Sequence, residues 1–352
     1  MRTRTLLAAV VPAAALALAA CGDAPTAGAP TAAAVLTAAA PGGDRLATVE
    51  QEGRTPALYI QNADGTGRFR VHFTYVSDHV TGNYSPRQLP VTDESVIAIR
   101  RAKWSPDGRY LAVIVSPALD ASQVVLIGAD GHEMRTVSPN SQYLFADVEW
   151  SPDSHRIAYA MATGPYASHP DLFVTELGPD RVQRVTTDGR LSGYDTFRFD
   201  AAGAVLTYTE HLGWADDDVN VLSRVAAADL ASGAVTYGPT LVGEPQAFPR
   251  DASWALLIRT RTARGDAGRD LVRVSLADGT ESVLATGDLW RAVLLDGDRD
   301  AILTAPAKDD PSGSALAYQI IGVDAPNDVR ATLPTGPNVT WAALTRGSTT
   351  TR

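Results

Sequence analysis

The stretch WSPDGRYLAV at residues 104–113 is nearly repeated as WSPDSHRIAY at residues 150–159. Each copy predicts a strand that ends in Trp, a tight turn and a second apolar strand, which together form one hairpin. Weaker copies, with another apolar residue in place of the Trp, occur around Phe199, Phe248 and Val293. The copies recur every ~45 to 50 residues, which is the length of a four-stranded propeller blade.

A second hairpin is predicted after several of these copies, because an Asp-Gly pair separates two short apolar runs. The clearest pairs lie at residues 64–65, 130–131 and 278–279. Asp and Gly tolerate the positive φ angles that tight turns require. Each repeat therefore predicts two hairpins, and hence four antiparallel strands.

The two ends of the chain predict how the repeats are completed. Residues 43–49 resemble a repeat that begins at the turn, and residues 338–344 resemble an inner strand with nothing after it. Joining the two would complete the first blade and remove open sheet edges. We therefore expect an all-β fold: a six-bladed β-propeller with four-stranded antiparallel blades, closed by the C-terminal strand completing blade one.

The repeated Trp-Ser-Pro-Asp-Gly element resembles that of TolB-type six-bladed β-propellers, and related propellers occur in the prolyl-oligopeptidase family. The resemblance covers residues 43–346. TolB carries an α/β domain ahead of its propeller, whereas the residues between Cys21 and Asp44 are too few for one. The resemblance implies the blade architecture but no particular ligand, since propellers serve many unrelated functions.

The N-terminus predicts a bacterial lipoprotein. Arg2 and Arg4 precede an apolar run over residues 6–17, which is too short to span a membrane. The sequence Leu-Ala-Ala-Cys ending at Cys21 resembles a lipobox, so residues 1–20 would be the signal peptide. The alternative is an ordinary signal peptide that happens to contain a cysteine. We expect lipid anchoring in the cell envelope, on an outer membrane facing the periplasm or on the outer leaflet of a plasma membrane.

Composition divides the rest of the chain and limits its partners. Residues 21–42 are mostly Ala, Gly, Pro and Thr, which predicts a flexible tether. Residues 43–346 would form the propeller, and residues 347–352 a disordered tail. The formal net charge of −10 disfavours nucleic acid as a partner. We expect a monomer, without a cofactor, that binds an envelope protein or a glycan.

Long connections between the predicted strands are where we expect a ligand, because function tends to collect on loops held by a rigid scaffold. Aromatic rings beside carboxylates on such loops could stack on a sugar or hold a peptide side chain. The candidate ligand-binding residues are Tyr84, Arg87, Tyr166, His169, His211, Trp214 and Asp216.

Structural alternatives exist for several of these residues. Tyr166 and Trp214 could pack their own loops against the blade edge. The aspartate run at residues 216–218 could bind calcium, but it lacks the glycine and distal glutamate of an EF-hand loop, which favours a solvated acidic loop. We assign no metal site. The repeated Trp104 and Trp150 are expected to pack between blades.

Catalytic sequence motifs are absent. The chain has no Gly-x-Ser-x-Gly or His-Glu-x-x-His motif, and its six histidines show no close metal-binding spacing. These absences favour a non-catalytic scaffold. The alternative is a polysaccharide-active propeller enzyme, a lyase or glycosidase, that uses His169 or His211 with acidic neighbours.

Overall fold

The fold is built almost entirely from short antiparallel hairpins. The computed structural model describes residues 34–39, 45–52, 55–62, 64–73, 92–118, 121–138, 145–162, 170–179, 181–187, 189, 191–192, 197–215, 219–261, 268–294, 299–306, 316–336 and 342–343. Within these ranges every regular element is a β-strand. In this part of the chain no helix is long and apolar enough to cross a bilayer.

In chain order the strands are β1 (Ala34–Ala39), β2 (Arg45–Glu52), β3 (Thr55–Asn62), β4 (Phe69–Val71), β5 (Ala98–Trp104), β6 (Tyr110–Ala118), β7 (Ala121–Gly128), β8 (Met134–Thr136), β9 (Phe145–Trp150), β10 (Arg156–Met161), β11 (Asp171–Glu176), β12 (Arg181–Arg184), β13 (Phe197–Phe199), β14 (Val205–Trp214), β15 (Val221–Asp229), β16 (Val235–Val242), β17 (Glu244–Ala247), β18 (Trp254–Thr260), β19 (Arg269–Ser275), β20 (Glu281–Gly287), β21 (Arg291–Leu294), β22 (Asp300–Pro306), β23 (Leu316–Gly322), β24 (Val329–Gly336) and β25 (Ala342–Ala343).

The described strands form six sheets, which we number in chain order. Sheet 1 contains β1–β4 and β25, and sheets 2 to 6 contain β5–β8, β9–β12, β13–β16, β17–β20 and β21–β24. Within each set of four, consecutive strands pair antiparallel. The predicted all-β class and the four-stranded antiparallel sheets are confirmed.

The Ser-Pro-Asp turns explain why the repeats fold locally into hairpins. In the first copy the Gly108 N–H donates to the Ser105 carbonyl oxygen at 2.9 Å, and Gly108 adopts a φ of +69°. The Asp107 carboxylate accepts the Arg109 N–H at 3.1 Å and the Ser105 hydroxyl at 2.6 Å. The aspartate therefore caps its own turn, which is why short polar residues recur there.

Apolar side chains are buried between successive sheets rather than within each one. Five clusters of buried residues join sheets 1 and 2, 2 and 3, 3 and 4, 4 and 5, and 5 and 6. Trp104 belongs to the buried cluster that also contains Leu58 and Ile60 of sheet 1, and Trp150 belongs to the cluster between sheets 2 and 3. The first strands of neighbouring sheets also touch, since β5 contacts both β1 and β9, and β9 contacts β13.

Sheet 1 differs from the prediction at both ends of the chain. Residues 34–39, which were expected to belong to the tether, form β1 and pair antiparallel with β2. Strand β25 pairs parallel with β1 through Thr37–Ala342 and Ala38–Ala343, so it lies outside β1 and not in the inner position beside β2. The physical reason is that ladder hydrogen bonds need only backbone groups. A six-residue run without Gly or Pro supplies them even where bulky side chains are few.

Candidate functional site

Two of the predicted ligand-binding residues, His211 and Trp214, fall within the described residues. Both lie on strand β14 and not in a loop as predicted. The other predicted positions, for lipidation or ligand binding, lie outside the described ranges: Cys21, Tyr84, Arg87, Tyr166, His169 and Asp216.

Strand β14 extends to Trp214, where it is still paired with β15. His211 pairs with Ser223, and after an irregularity in register Trp214 pairs with Val221. Gly213, at a φ of +135°, supplies the backbone conformation that this irregularity requires. No turn sequence marks the end of β14 near Trp214, so the sequence does not predict that the strand continues through residues 211–214.

Contacts with the neighbouring sheet hold the end of this hairpin in place. The Asn220 side-chain amide donates to the Thr260 carbonyl oxygen at 3.0 Å. Its side-chain oxygen in turn accepts the Thr260 N–H at 2.9 Å. This reciprocal pair joins the start of β15 in sheet 4 to the end of β18 in sheet 5.

The Trp214 side chain projects from this fixed backbone into solvent. It is 61% exposed, and its ring meets the His211 ring edge to face, with centroids 6.5 Å apart and planes at 86°. Leu212 between them is 40% exposed. We call His211, Leu212 and Trp214 the Trp214 surface. Because Trp214 is largely exposed, the alternative that it packs down against the blade edge does not describe its position.

The opposite face of the same sheet carries a second exposed aromatic ring, on the neighbouring strand β16. Arg224 donates to the buried Glu210 carboxylate at 2.5 Å, and its guanidinium carbon lies 3.7 Å from the centroid of the Tyr237 ring. Tyr237 is 56% exposed. Burial, with the nearby Glu210 charge, raises the pKa of Tyr208 far above its ordinary value, so this hydroxyl stays protonated. The Glu210–Arg224 pair is thus a fixed support for the Tyr237 ring.

Charged side chains that were not predicted from the sequence meet where the first strands of several sheets approach each other. Glu149 on β9 is 7% exposed at its side chain and pairs with Lys103 on β5. The same carboxylate lies 4.0 Å from Arg198 Nε on β13 and 3.9 Å from Arg250 Nη2, just after β17. One carboxylate therefore brings together side chains from sheets 2, 3, 4 and 5.

A second group of charges lies two residues earlier on the same strands. Arg101 Nε on β5 is 3.5 Å from Asp147 Oδ1 on β9, and both side chains are 19% exposed. Arg291 on β21 interacts electrostatically with both Arg101 and Asp147. Desolvation and repulsion from Arg101 lower the pKa of Arg291 to about 9, and attraction to Asp147 offsets only part of this shift. We call the two groups together the central charge cluster.

Strand alternation explains how this cluster forms. Arg101 and Lys103 alternate with Ala102 and Trp104, which are buried toward sheet 1, so the charged residues point to the opposite side. Superposing the repeats on their strand-ending Trp or Phe places Lys103, Glu149 and Arg198 at one equivalent position. This alignment is the sequence signal that could have found the cluster.

A metal-binding arrangement is not found among the described residues, where no three His, Cys, Asp or Glu side chains group together. The aspartate run at residues 216–218, the one candidate for calcium, lies outside the described ranges.

The comparisons with known proteins support the fold. No protein-family model and no curated protein matches this sequence. Among solved structures, TolB from Acinetobacter baumannii is similar at 14% identity and a TM-score of 0.53, with 80% of this chain and 62% of that chain covered. The tricorn protease is similar at 11% identity and a TM-score of 0.57, with 83% and 29% covered. An oligogalacturonate lyase in complex with manganese is similar at 12% identity and a TM-score of 0.54, with 76% and 72% covered.

These likenesses, at low identity, indicate the fold and nothing finer. The described sheets have the β-propeller architecture of TolB-like proteins, and this chain spans less than two thirds of the TolB chain it matches. The same architecture serves a lyase and a protease among the similar structures. Function must therefore be argued from the residues of this chain.

Proposed function

We propose that this chain is a six-bladed TolB-like propeller, anchored in the bacterial cell envelope through a lipid on Cys21, that serves as a non-catalytic scaffold for a protein or glycan partner. The observation that carries the binding function is the exposed Trp214 ring on a strand end whose backbone is fixed. Anchoring at Cys21 is proposed from the lipobox-like sequence alone.

Six sheets and a shared centre support the six-blade arrangement. Five of the described sheets consist of four antiparallel strands in chain order, and sheet 1 has the same four with β25 added, which agrees with the construction of a propeller blade. The contacts of Glu149 with Arg198 and Arg250 join sheets 3, 4 and 5 at one point, as expected if first strands surround a common axis. In the proposed ring, sheets 6 and 1 are neighbours, and the C-terminal strand β25 on β1 helps to close it.

Rigid, exposed aromatic residues support a binding role. Tryptophan offers a large contact area with few rotatable bonds, so little conformational entropy is lost when a partner covers it. At Trp214 the backbone is already ordered by β15 and by the Asn220–Thr260 contact. The backbone entropy of this surface is therefore lost when the protein folds, and little more is lost when a partner binds.

Capture of the envelope partner by the full chain tests the proposal. The lipidated protein would be cross-linked in membranes of its own cell, and bound protein and glycan would be identified after purification. Trp214→Ala should weaken capture by about 2 kcal/mol or more, the usual size of an aromatic hot spot, without changing the melting temperature. The matched control is Arg109→Glu, a charge reversal of an exposed residue in the β5–β6 turn, which should leave capture unaltered.

Two results would overturn the proposal. Loss of capture in Arg109→Glu, with normal capture in Trp214→Ala, would place the binding surface at the other end of the sheets. Turnover of a uronate-containing glycan by the unmodified protein would favour the polysaccharide-active alternative over a scaffold.

A further inference from the structure

A groove lies between sheets 4 and 5, and we call it the sheet 4–5 groove. Residues 239–242 of β16 form one wall. Arg259, Val274 and Glu281 of sheet 5 form the other, and Asn220 and Thr260 also line it. Its volume of about 500 Å³ is within the range of small-ligand sites, about 300 to 1,000 Å³. The groove is therefore large enough to hold a ligand.

Strand register places the groove and the Trp214 ring on one face of sheet 4. Trp214 pairs with Val221 on β15, and Ser223, two residues further along β15, pairs with Leu241 on β16. Directly paired residues, and residues two apart on a strand, share a face of the sheet. Leu241 is buried in the cluster that joins sheets 4 and 5 and also lines the groove. Asn220, which lines the groove too, directly precedes Val221, so the groove begins beside the Trp214 surface.

Glu281 is a fixed hydrogen-bond acceptor in the groove. Arg259 donates to its two carboxylate oxygens from Nη1 and Nη2, at 2.8 and 2.7 Å. The Arg259 Nε in turn donates to the Val242 carbonyl oxygen of sheet 4 at 2.9 Å. An ionised carboxylate can accept about four hydrogen bonds, and the Glu281 side chain is 45% exposed. Glu281 is therefore held in one orientation and can accept further hydrogen bonds from a ligand.

Backbone groups in the groove are already engaged by side chains. Asn220 binds both the N–H and the carbonyl oxygen of Thr260, and Arg259 binds the carbonyl oxygen of Val242. A peptide that adds to a sheet as an extended strand needs such backbone groups for its own hydrogen bonds. The groove is therefore better suited to a ligand that is recognised by side chains.

The length of the groove indicates a ligand of several units. Glu281 pairs with Val274, which pairs with Ala255 on β18. Ala255 and Thr260 are five residues apart on the same strand, a distance of about 17 Å. Because Thr260 marks the end of the groove beside the Trp214 surface, a ligand that contacts both Trp214 and Glu281 must extend along the sheet.

We propose that the sheet 4–5 groove binds a neutral oligosaccharide, with one sugar ring stacked on Trp214 and hydroxyl groups of another donating to Glu281. Sugar hydroxyls are donors that a carboxylate can accept, and aromatic rings pack against the apolar face of a sugar. Both arginines of the groove lie beside carboxylates, Arg259 beside Glu281 and Arg261 with its Nε 3.3 Å from Asp270 Oδ1, which favours a ligand without charge. The inference rests on the proposed scaffold function and names a glycan as the partner.

A glycan array probed with the folded full-length chain tests the proposal. The array carries neutral hexose and N-acetylhexosamine oligomers beside uronate-containing ones. We expect binding to neutral oligomers of several units, and calorimetric titration with the best-bound one gives its affinity. Binding to no glycan, or to uronate-containing glycans alone, would overturn the proposal.

Variants at Glu281 separate a binding role from a structural one. Glu281→Ala should weaken the oligosaccharide at least about tenfold, the loss expected for hydrogen bonds to a charged group. If Glu281→Ala does not fold, Glu281→Gln replaces it, with a smaller loss expected. The matched control is Glu52→Ala, because the Glu52 side chain is 36% exposed and pairs with Arg70 at 2.8 Å in sheet 1. This control should bind normally, and equal affinity of the unmodified protein and a folded Glu281 variant would overturn the groove.

Trp214→Ala in the same titration distinguishes this inference from the scaffold proposal. Weaker oligosaccharide binding in this variant supports both. Capture of a protein partner that depends on Trp214, without any glycan binding, would overturn the oligosaccharide groove and leave the scaffold proposal standing. Glycan binding that depends on Glu281 but not on Trp214 would support the groove and overturn Trp214 as the binding surface.

Discussion

The indole N–H of Trp150 donates a hydrogen bond to the backbone carbonyl oxygen of Lys103, 2.9 Å away. This bond joins the end of the first strand of sheet 3 to the first strand of sheet 2. The Trp150 side chain is 2% exposed and belongs to the buried cluster between the two sheets. Trp150 therefore fills the space between sheets 2 and 3 and also donates a hydrogen bond to a backbone carbonyl oxygen of sheet 2.

Replacing this indole tests its structural role. Trp150→Phe should lower the free energy of unfolding by about 2 to 3 kcal/mol, because it removes buried ring atoms and leaves the Lys103 carbonyl oxygen without its donor. Urea denaturation measures the difference. The same substitution at Trp290, which is 46% exposed, should change stability by less than about 0.5 kcal/mol. Equal losses in the two variants would contradict a spacer role for Trp150.

The hairpins could be predicted because their signals are local. A Ser-Pro-Asp turn fixes where β5 ends and β6 begins, and the same residue types define β9 and β10. Strand β1 lacks such a turn and has only Val35 and Leu36 as bulky residues, so composition alone suggested a tether. Its pairing depends on β2 and β25, the latter ~300 residues away in sequence, and local propensity does not encode such pairing.

The candidate sites could be predicted only in part for the same reason. His211 and Trp214 were selected by residue type, but their strand geometry depends on β15. The central charge cluster depends on Arg250 reaching Glu149, a contact between sheets whose residues are about 100 positions apart in the chain. Aligning the repeats groups Glu149 with Lys103 and Arg198, but Arg250 follows Phe248 and does not share that position, so no short pattern distinguishes it from a solvated surface charge.

The order of strands in sheet 1 predicts which end of the chain contributes more to stability. Thr37 on β1 pairs with Thr48 on one side and Ala342 on the other, whereas β25 has two residue pairs in all among the described residues. A proline at either position removes a backbone donor from the ladder. Thr37→Pro should cost about 2 to 3 kcal/mol in urea denaturation, and Ala342→Pro less than about 1 kcal/mol. A larger loss in Ala342→Pro would instead support the C-terminal strand as the inner strand.

Membrane attachment is predicted to depend on Cys21. The Leu-Ala-Ala-Cys sequence favours lipid attachment at the Cys21 thiol. A serine at this position has a hydroxyl in place of the thiol, and we expect that it does not receive the lipid. Cys21→Ser should move the protein from the membrane fraction to the soluble fraction, as measured by fractionation and immunoblotting. Thr26→Ser, a change in the nearby polar segment, is the control and should remain membrane-bound. Unchanged membrane association of Cys21→Ser would contradict lipid anchoring.

Turn aspartates predict how stability depends on acid. The backbone N–H and hydroxyl of Ser232, at 2.7 and 2.8 Å, hold the pKa of Asp229 below its ordinary value of 3.8. Hydrogen bonds in the same kind of turn lower the pKa values of Asp64, Asp130 and Asp278. Since the folded state binds these protons less readily than the unfolded state, the carboxylates stabilise the fold above pH ~4, and this contribution is lost as the pH falls through their folded pKa values.

Asp229→Asn should therefore flatten the loss of stability on acidification. The asparagine oxygen still accepts hydrogen bonds but cannot be protonated in this range, so the free energy of unfolding should fall less steeply below pH ~4 than in the unmodified protein. Ser232→Ala, which removes the hydroxyl donor and brings the Asp229 pKa closer to its ordinary value, should flatten the curve in the same direction. Substitution of the exposed Ser282 by alanine provides the matched control and should leave the curve unchanged. Urea denaturation at successive pH values between neutral and strongly acidic measures all three, and parallel curves for Asp229→Asn and the unmodified protein would show that this turn does not contribute to acid unfolding.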